Sequence, residues 1–350
     1  MAQLVDVVSA APEHVVPQAF AAEFARRTFG ARMPHLERLM PIFDNTGIST
    51  RRTCQPLSWY DQPHTLAENS VAYIEAASTL CAQAGAALLQ RQGLRPEQID
   101  RIIYVNTTGL ATPSIDARLV NRLGLHPNVR RTPIWGLGCA GGVAGLSHAW
   151  QHVQGHPRER VLLFCAEMCS LTLLRDDAST ANVVATALFA DGAAVALISG
   201  DETGDTGYAL IDSRSTLYPD SLDIMGWHVV TQGLQVVFDR RIPKIVDQHA
   251  CAELDAFLNG HGLTRDDIAE YLYHPGGPKV LSAYADAYGL ALDRFDWSRQ
   301  VLREFGNMSS VTVLYVLERY MAAHAPGRGG HAVISALGPG FASESLLMGL

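Results

Sequence analysis

A single cysteine stands among glycines in Trp135-Gly136-Leu137-Gly138-Cys139-Ala140-Gly141-Gly142. An apolar segment, residues 131–137, leads into this stretch. A helical pattern follows from Val143 to Gln154, and Gly155 is the residue type favoured just past a helix end. The order of these segments predicts that Cys139 lies close to a helix N-terminus.

That position favours a reactive thiol at Cys139. Unpaired backbone N–H groups and the positive end of the helix dipole can lower the pKa of a thiol from about 8.5 to between about 3.5 and 7.5. The flanking glycines leave room for a substrate. The alternative is an inert cysteine in the hydrophobic core, where most free cysteines are found.

Composition limits the class of protein. A chain of 350 residues, 48% of them hydrophobic, exceeds what one hydrophobic core supports, so two subdomains are expected. The net charge of −8 is spread along the chain without a basic cluster, which excludes nucleic acid as a partner. The longest apolar runs, such as residues 193–198, are too short for a membrane span, so no integral membrane association is expected.

The cysteines indicate the compartment. Six of them are scattered along the chain, and Met1 to Asp6 lacks the basic start of a secretory leader. A reducing cytoplasmic location is therefore expected. For the same reason no disulfide is expected between Cys165 and Cys169.

Apolar strands alternate with helical stretches along the whole chain, which predicts an α/β protein with sheets covered on both faces. The polar, glycine-rich segment from Gly200 to Gly207 is the clearest boundary. It divides the chain into two α/β halves, residues 1–200 and 201–350. Strands are predicted at residues 102–105, 161–166, 193–199, 209–211, 271–273 and 332–336, and helices at 114–123, 178–187, 245–258 and 311–323.

Two loops of the second half carry candidate catalytic groups. His274 ends the apolar run of residues 271–273 and precedes Pro275-Gly276-Gly277-Pro278, so it is predicted at a strand C-terminus, where ligands gather in α/β sheets. Asn307 precedes the apolar helix that begins near Val311. A structural histidine and a helix-capping asparagine are the alternatives.

Five motifs, in this order, resemble the type III polyketide synthases, the chalcone and stilbene synthase family. They are Gly138-Cys139-Ala140-Gly141-Gly142, Ala187-Leu188-Phe189-Ala190-Asp191-Gly192-Ala193-Ala194, His274-Pro275-Gly276-Gly277-Pro278, Gly306-Asn307-Met308-Ser309-Ser310 and Gly338-Pro339-Gly340-Phe341.

The resemblance implies a thiolase fold, with duplicated α/β halves in an αβαβα sandwich, and a homodimer. Related ketosynthases carry His-Gln-Ala-Asn at the histidine loop, and thiolases use a second catalytic cysteine late in the chain. Here the loop differs, and no cysteine follows Cys251. The type III branch fits best, and its substrates are free CoA thioesters.

By the same resemblance, Cys139, His274 and Asn307 form the catalytic triad. Cys139 would hold the acyl group as a thioester. His274 would stabilise the thiolate and, with the Asn307 amide, the enolate left when malonyl-CoA loses CO2. No metal, flavin or nicotinamide cofactor is implied, because malonyl-CoA and acyl-CoA are substrates.

Further site residues follow from the family pattern. Phe189 matches a gatekeeper phenylalanine, although an ordinary core aromatic is the alternative, and Val236 replaces a second gatekeeper. Cys169 and Thr112 replace a threonine and a methionine of plant members, which favours a larger cavity. The run Met225-Gly226-Trp227 resembles bacterial members that convert long fatty acyl starters to alkylpyrones or alkylresorcinols. Thr108, Thr172, Gly276, Gly338, Pro339 and Gly340 complete the predicted substrate-binding set, and Arg51 and Arg52 are predicted to bind the CoA phosphates, with a solvated surface pair as the alternative.

Other features of the sequence are weaker evidence for a functional site. His148, His152 and His156 recur every four residues, but a helix end at Gly155 and the lack of a further ligand argue against a metal site. Two other functions stay open. A cysteine hydrolase would use Cys139 and His274 without forming a carbon–carbon bond, and a non-catalytic acyl-CoA-binding protein would need no triad.

Overall fold

The computed structural model describes all residues from 1 to 350. It contains helices and strands in alternation along the chain. The helices are α1 (Gln18–Phe29), α2 (Leu36–Leu39), α3 (Pro41–Asn45), α4 (Leu66–Gln92), α5 (Ile115–Leu123), α6 (Gly141–Gly155), α7 (Thr180–Leu188), α8 (Ile242–Asn259), α9 (Pro278–Tyr288), α10 (Asp296–Phe305) and α11 (Thr312–Ala323). The strands are β1 (Gln3–Ala10), β2 (His14–Pro17), β3 (Thr50–Thr53), β4 (Arg101–Asn106), β5 (Arg130–Trp135), β6 (Arg160–Met168), β7 (Asp191–Ser199), β8 (Tyr208–Leu217), β9 (Met225–Val230), β10 (Gly233–Phe238), β11 (Ile268–Tyr273), β12 (His331–Gly338) and β13 (Ala342–Gly349).

The main sheet has the strand order β11-β12-β13-β8-β1-β7-β6-β4-β5. The strands of the first half and those of the second half meet where β1 pairs with β8 through only two residue pairs, Gln3 with Ala209 and Leu4 with Tyr208. Parallel and antiparallel pairs are mixed in both halves. The division at residue 200 stays a prediction.

Alternating strand residues build a layered core. In β6, Leu163 packs into a central cluster with α6 and α11, whereas Leu162 faces an outer cluster with α4. In β12, Ile334 faces the same central cluster and Val333 an outer cluster with α8 and α9. Because neighbouring strand residues point to opposite faces, each half of the sheet is covered on both sides. Both halves of the sheet contribute to the central cluster, with α6 and α11 between them. The layers therefore follow the order helix, half-sheet, helix, half-sheet, helix.

The elements around Cys139 differ in detail from their prediction. Residues 138–140 form a 3-10 turn, and α6 begins at Gly141. The helix includes Gly155, and His156, with φ of −138°, follows it, so the prediction that Gly155 lies past the helix end is wrong. A helix two residues longer at its start brings the N-terminus directly behind Cys139.

No helix combines the length and the apolar character that crossing a bilayer requires.

Candidate active site

Cys139 lies on the 3-10 turn before α6, and the turn is fixed from two sides. Gly138 adopts φ of +50°, and a Cβ atom there would come within 2.6 Å of the Pro339 side chain. A Cβ atom at Gly142 would come within 2.3 Å of the Ser310 carbonyl oxygen. These glycines therefore allow the loop after Asn307 and the end of β12 to approach the cysteine. Cys139 itself is 7% exposed.

His274 directly follows β11, which confirms its predicted position at a strand end. Its backbone N–H donates to the Ser335 carbonyl at 2.8 Å and so extends the pairing of β11 with β12. The side chain is buried, and neither ring nitrogen has a hydrogen-bond partner. A buried imidazole with both nitrogens unpartnered is available to a substrate.

Asn307 is held by its backbone and by its side chain. Its N–H donates to the Leu188 carbonyl and its carbonyl accepts from the Ala190 N–H, both at 2.9 Å, so the loop is clamped to the Phe189 segment. Its Oδ1 accepts from the Ser309 N–H at 2.8 Å. This bond closes a local turn, whereas the residue before α11 is Val311, so the helix-capping alternative for Asn307 is wrong. The Nδ2 group donates to the Gly276 carbonyl at 3.1 Å and keeps a second N–H.

The three side chains line one cavity of about 680 Å³. The Cys139 thiol donates to Asn307 Oδ1 over 4.0 Å, which is a long contact. The cavity also contains Gly276, Gly277 and Leu337 in its wall. We call it the reactive cavity. Residues that are 168 positions apart therefore line one shared cavity.

Burial favours the neutral forms of the Cys139 thiol and the His274 imidazole. It raises the pKa of the Cys139 thiol to about 12, with a smaller contribution from the Glu167 carboxylate, against the effect of hydrogen bonds to Ser309 and Asn307. Burial also lowers the pKa of His274 to about 3. The prediction of a lowered thiol pKa is therefore wrong for this structure, because loss of hydration outweighs the helix N-terminus.

A buried carboxylate behind the cysteine was not predicted. Glu167 Oε2 accepts from the N–H groups of Thr107 and Thr108, each at 3.0 Å, and from the Thr108 hydroxyl at 2.7 Å. Its Oε1 accepts from the Ser310 hydroxyl at 2.7 Å. Thr107 Oγ1 in turn accepts from the Gly138 N–H at 2.9 Å. Burial raises the pKa of Glu167. One signal was available, since a charged residue within the apolar run of β6 is unusual.

A second, largely hydrophobic space of about 80 Å³ lies beside the first, and we call it the apolar cavity. Phe189, Cys169, Thr172 and Val236 line it, as the sequence predicts for substrate-binding residues. The Phe189 ring is 5.5 Å from that of Phe238, which lines the reactive cavity. Phe189 and Phe238 therefore form the wall between the two cavities.

Several predicted substrate-binding residues lie elsewhere. Thr108 uses its hydroxyl for Glu167 and for the Met168 N–H, so it is not free for a substrate. Thr112 is exposed on a surface loop. Gly338 packs against the nucleophile turn, because a Cβ atom there would lie 2.6 Å from that of Ala140. Pro339 contacts the same turn, and the Gly340 carbonyl accepts from the Ser221 hydroxyl. Gly338 and Pro339 therefore shape the site through their contacts with the nucleophile turn.

Burial contradicts the predicted CoA contact of Arg51, and the contact of Arg52 stays a prediction. Arg51 is 4% exposed and donates to the carbonyls of Thr186, Ala187 and Phe189 at the end of α7, and to the Gln18 side chain. Burial lowers the pKa of this guanidinium to about 10. Arg52 donates to the Pro12 and Glu13 carbonyls and lines neither cavity. The exposed cations of the reactive cavity are Arg38, Arg240 and Lys279, none of which forms a salt bridge within the cavity.

The histidine repeat has a neighbour that was not foreseen. His152 and His156 stack with ring centres 4.3 Å apart, and Glu159 accepts from His152 Nε2 at 2.6 Å. The ligand atoms of these three residues lie within 4.8 Å of one another. The expectation that the histidine repeat has no further metal ligand is therefore wrong, because Glu159 lies beside it. Glu159 also forms a salt bridge with Arg130 at 3.3 Å.

Family models match almost the whole chain. The family model "Chalcone and stilbene synthases, N-terminal domain" matches residues 1–202, and the C-terminal domain model matches residues 209–349. A 1,3,6,8-tetrahydroxynaphthalene synthase of Streptomyces peucetius subsp. caesius is 39% identical over 313 residues, which cover 89% of this chain and 83% of that protein. The alpha-pyrone synthesis polyketide synthase-like Pks18 of Mycobacterium tuberculosis strain CDC 1551 is 28% identical over 351 residues, covering 96% and 88%.

The fold has a counterpart in solved structures. The crystal structure of 1,3,6,8-tetrahydroxynaphthalene synthase from Streptomyces coelicolor A3(2), a bacterial type III polyketide synthase, superposes with a TM-score of 0.93 at 30% identity and covers 99% of both chains. This match confirms the thiolase-like α/β fold that the motifs implied.

Proposed function

The chain belongs to the chalcone and stilbene synthase family and is a type III polyketide synthase, and we propose that it extends a fatty acyl-CoA starter with malonyl-CoA. The observation that carries the proposal is the reactive cavity, where a thiol, an imidazole and a carboxamide from distant segments meet. An acyltransferase of this kind needs a nucleophile, a base and hydrogen-bond donors for a developing negative charge.

The first step is transfer of the acyl group to Cys139. His274 accepts the thiol proton while the sulfur attacks the thioester carbonyl, and the departing CoA sulfur takes the proton back from the imidazolium. Because the thiol and the imidazole are both neutral beforehand, the proton moves to His274 as the sulfur–carbon bond forms, and no ion pair precedes the step.

The second step forms the carbon–carbon bond. Malonyl-CoA loses CO2, and its thioester oxygen becomes an enolate that accepts hydrogen bonds from the His274 ring and the second Asn307 N–H. The enolate carbon attacks the Cys139 thioester, and the thiolate leaves. Rounds of reloading and extension then end in cyclisation, which we propose gives an alkylpyrone or an alkylresorcinol.

The apolar cavity supports an aliphatic starter. Its walls are hydrophobic side chains on most sides, including Phe24, Leu57 and Leu173, so burial of methylene groups there is favourable. Its volume of about 80 Å³ favours short chains of this class unless neighbouring side chains move apart. The names of the relatives refer to a tetrahydroxynaphthalene and to an α-pyrone, and neither name specifies a starter.

The surface end of the reactive cavity supports binding of CoA. Arg38, Arg240 and Lys279 place positive charge there, which we propose contacts the CoA phosphates in place of Arg51. The reaction as written needs no metal and no redox cofactor. We further propose that the enzyme acts as a homodimer in the cytoplasm.

The decisive experiment mixes the purified enzyme with acyl-CoA starters of increasing length and isotopically labelled malonyl-CoA. We expect labelled, extended products by mass spectrometry, and none from Cys139→Ala. Free fatty acid without labelled product would indicate the hydrolase instead. Binding of acyl-CoA without a covalent adduct on Cys139 would indicate the non-catalytic binding protein.

A further inference from the structure

Three spaces border the hairpin formed by β9 and β10. Phe238 and Met225, which pair across the hairpin, line the reactive cavity, and the next pair on the same face, Val236 and Trp227, lines the apolar cavity. Val230, at the turn end of β9, lines a third space. Because neighbouring strand residues alternate between faces and Val230 lies three positions beyond Trp227, the third space borders the other face of the hairpin.

The third space is an open, mainly polar groove of about 560 Å³, which we call the groove. It is lined by residues such as Trp59, His64 and Arg175. Tyr60, Ser170 and Leu173 line both the groove and the apolar cavity, so they form the partition between them. The partition separates the apolar cavity of about 80 Å³ from a space several times larger.

Tyr60 is the largest side chain of this partition and is held at both ends. It is 7% exposed. Its hydroxyl donates to Ser170 Oγ at 2.6 Å, and Ser170 Oγ donates to Asp191 Oδ2 at 2.5 Å. The Tyr60 carbonyl accepts from the Arg175 guanidinium. A ring fixed by its hydroxyl and its backbone is a rigid wall between the apolar cavity and the groove.

We propose that Tyr60 is a specificity-determining residue that sets the longest acyl chain the enzyme accepts, by closing the apolar cavity against the groove. The inference rests on the proposed function. A starter whose tail reaches Tyr60 fills the apolar cavity, and further methylene groups meet the ring. Without the ring, the tail continues past Ser170 and Leu173 into the groove.

The test measures acylation of Cys139 by intact-protein mass spectrometry, with straight-chain acyl-CoA starters that lengthen stepwise. This readout does not depend on malonyl-CoA, so failure of the condensation and failure of the inference are distinguishable. We expect a sharp upper length limit for the wild type. For Tyr60→Ala, we expect acylation by the first rejected starter to rise about tenfold or more, since one methylene discriminates by roughly 10- to 200-fold in a pocket.

Leu173→Ala widens the same partition without removing the hydroxyl network, and it decides the matter where Tyr60→Ala does not fold. Tyr60→Phe keeps the ring and should keep the limit. Trp59→Phe changes the groove alone and is the matched control. An unchanged length limit in folded Tyr60→Ala or Leu173→Ala, both still acylated by the short starter, would overturn the inference, as would an equal shift in Trp59→Phe.

Discussion

Cys139 and His274 show what local sequence can and cannot predict about a residue. The position of each followed from its neighbours, because a glycine turn before a helix and a proline after a strand are local signals. Their ionisation did not follow. It depends on burial by segments far along the chain, and burial disfavours both the thiolate and the imidazolium.

This neutrality leads to a pH prediction for Cys139. The pKa of the Cys139 thiol is raised to about 12. At any pH below that value, raising the pH by one unit increases the thiolate fraction tenfold. In His274→Gln, alkylation of Cys139 by iodoacetamide should therefore be slow at neutral pH and rise with unit slope between about pH 7 and pH 10. In the wild type, an imidazole that accepts the proton should make alkylation faster at pH 7 and the slope shallower. Identical profiles would argue against His274 as the base.

A second prediction at this scale concerns Asn307. Asn307→Ala removes one of the two proposed donors to the enolate, so decarboxylation of malonyl-CoA should slow by about 10²–10³-fold, measured as release of CO2. Acylation of Cys139 should change far less. Asn121→Ala, on the exposed side of α5, serves as a control. An equal loss in both steps would mean that the amide acts by holding the loop, through its bond to the Ser309 N–H.

Among helices and strands, the sequence predicts the fully buried strands, whereas α4 and the hairpin of β9 and β10, which each have an exposed face, are not predicted. Continuous apolar runs revealed β6, β7 and β12, since strands covered on both faces need such residues on both sides. Helix α4 was missed, although Thr65 and Glu68 form a capping box at its start. The run Met225-Gly226-Trp227 indicates a pocket motif but not the hairpin of β9 and β10, because the exposed face of β9 hides the strand pattern.

The contact between the nucleophile turn and the end of β12 gives a prediction for a matched pair of glycines. Gly338→Ala would place a Cβ atom 2.6 Å from the Ala140 Cβ and from the Leu137 carbonyl oxygen. We expect a loss of about 1–3 kcal/mol in the free energy of unfolding and lower activity, because the turn must shift. Gly155→Ala, where nothing lies within 4 Å, should leave stability unchanged or raise it by less than about 1 kcal/mol. Chemical denaturation of the three proteins measures this, and equal stabilities would contradict the close approach.

At the scale of the whole molecule, the two halves meet at the reaction centre. Glu167 accepts hydrogen bonds from Thr108 in the first half and from Ser310 in the second. The sequence predicted the fold through the order of its motifs. It could not show this contact, because no local pattern relates residues 143 positions apart.

The edge of the sheet gives the prediction for assembly. Strand β5 is the last strand of the main sheet, is largely exposed, and ends in Trp135, which is 50% exposed. An uncovered edge strand is a ready surface for pairing with a second copy. Trp135→Arg should therefore shift the proposed dimer to monomer in analytical ultracentrifugation, whereas Leu222→Arg, at an 81% exposed position, should not. A Trp135→Arg protein that keeps its sedimentation rate would place the dimer contact elsewhere.

The hairpin of β9 and β10 limits how such an enzyme can diverge. Inserting or deleting one residue between Met225 and Phe238 would turn each later side chain to the opposite face, so that residues now facing solvent would face the substrate. Natural variants with new starter preferences should therefore differ here by exchange of side chains at constant strand length.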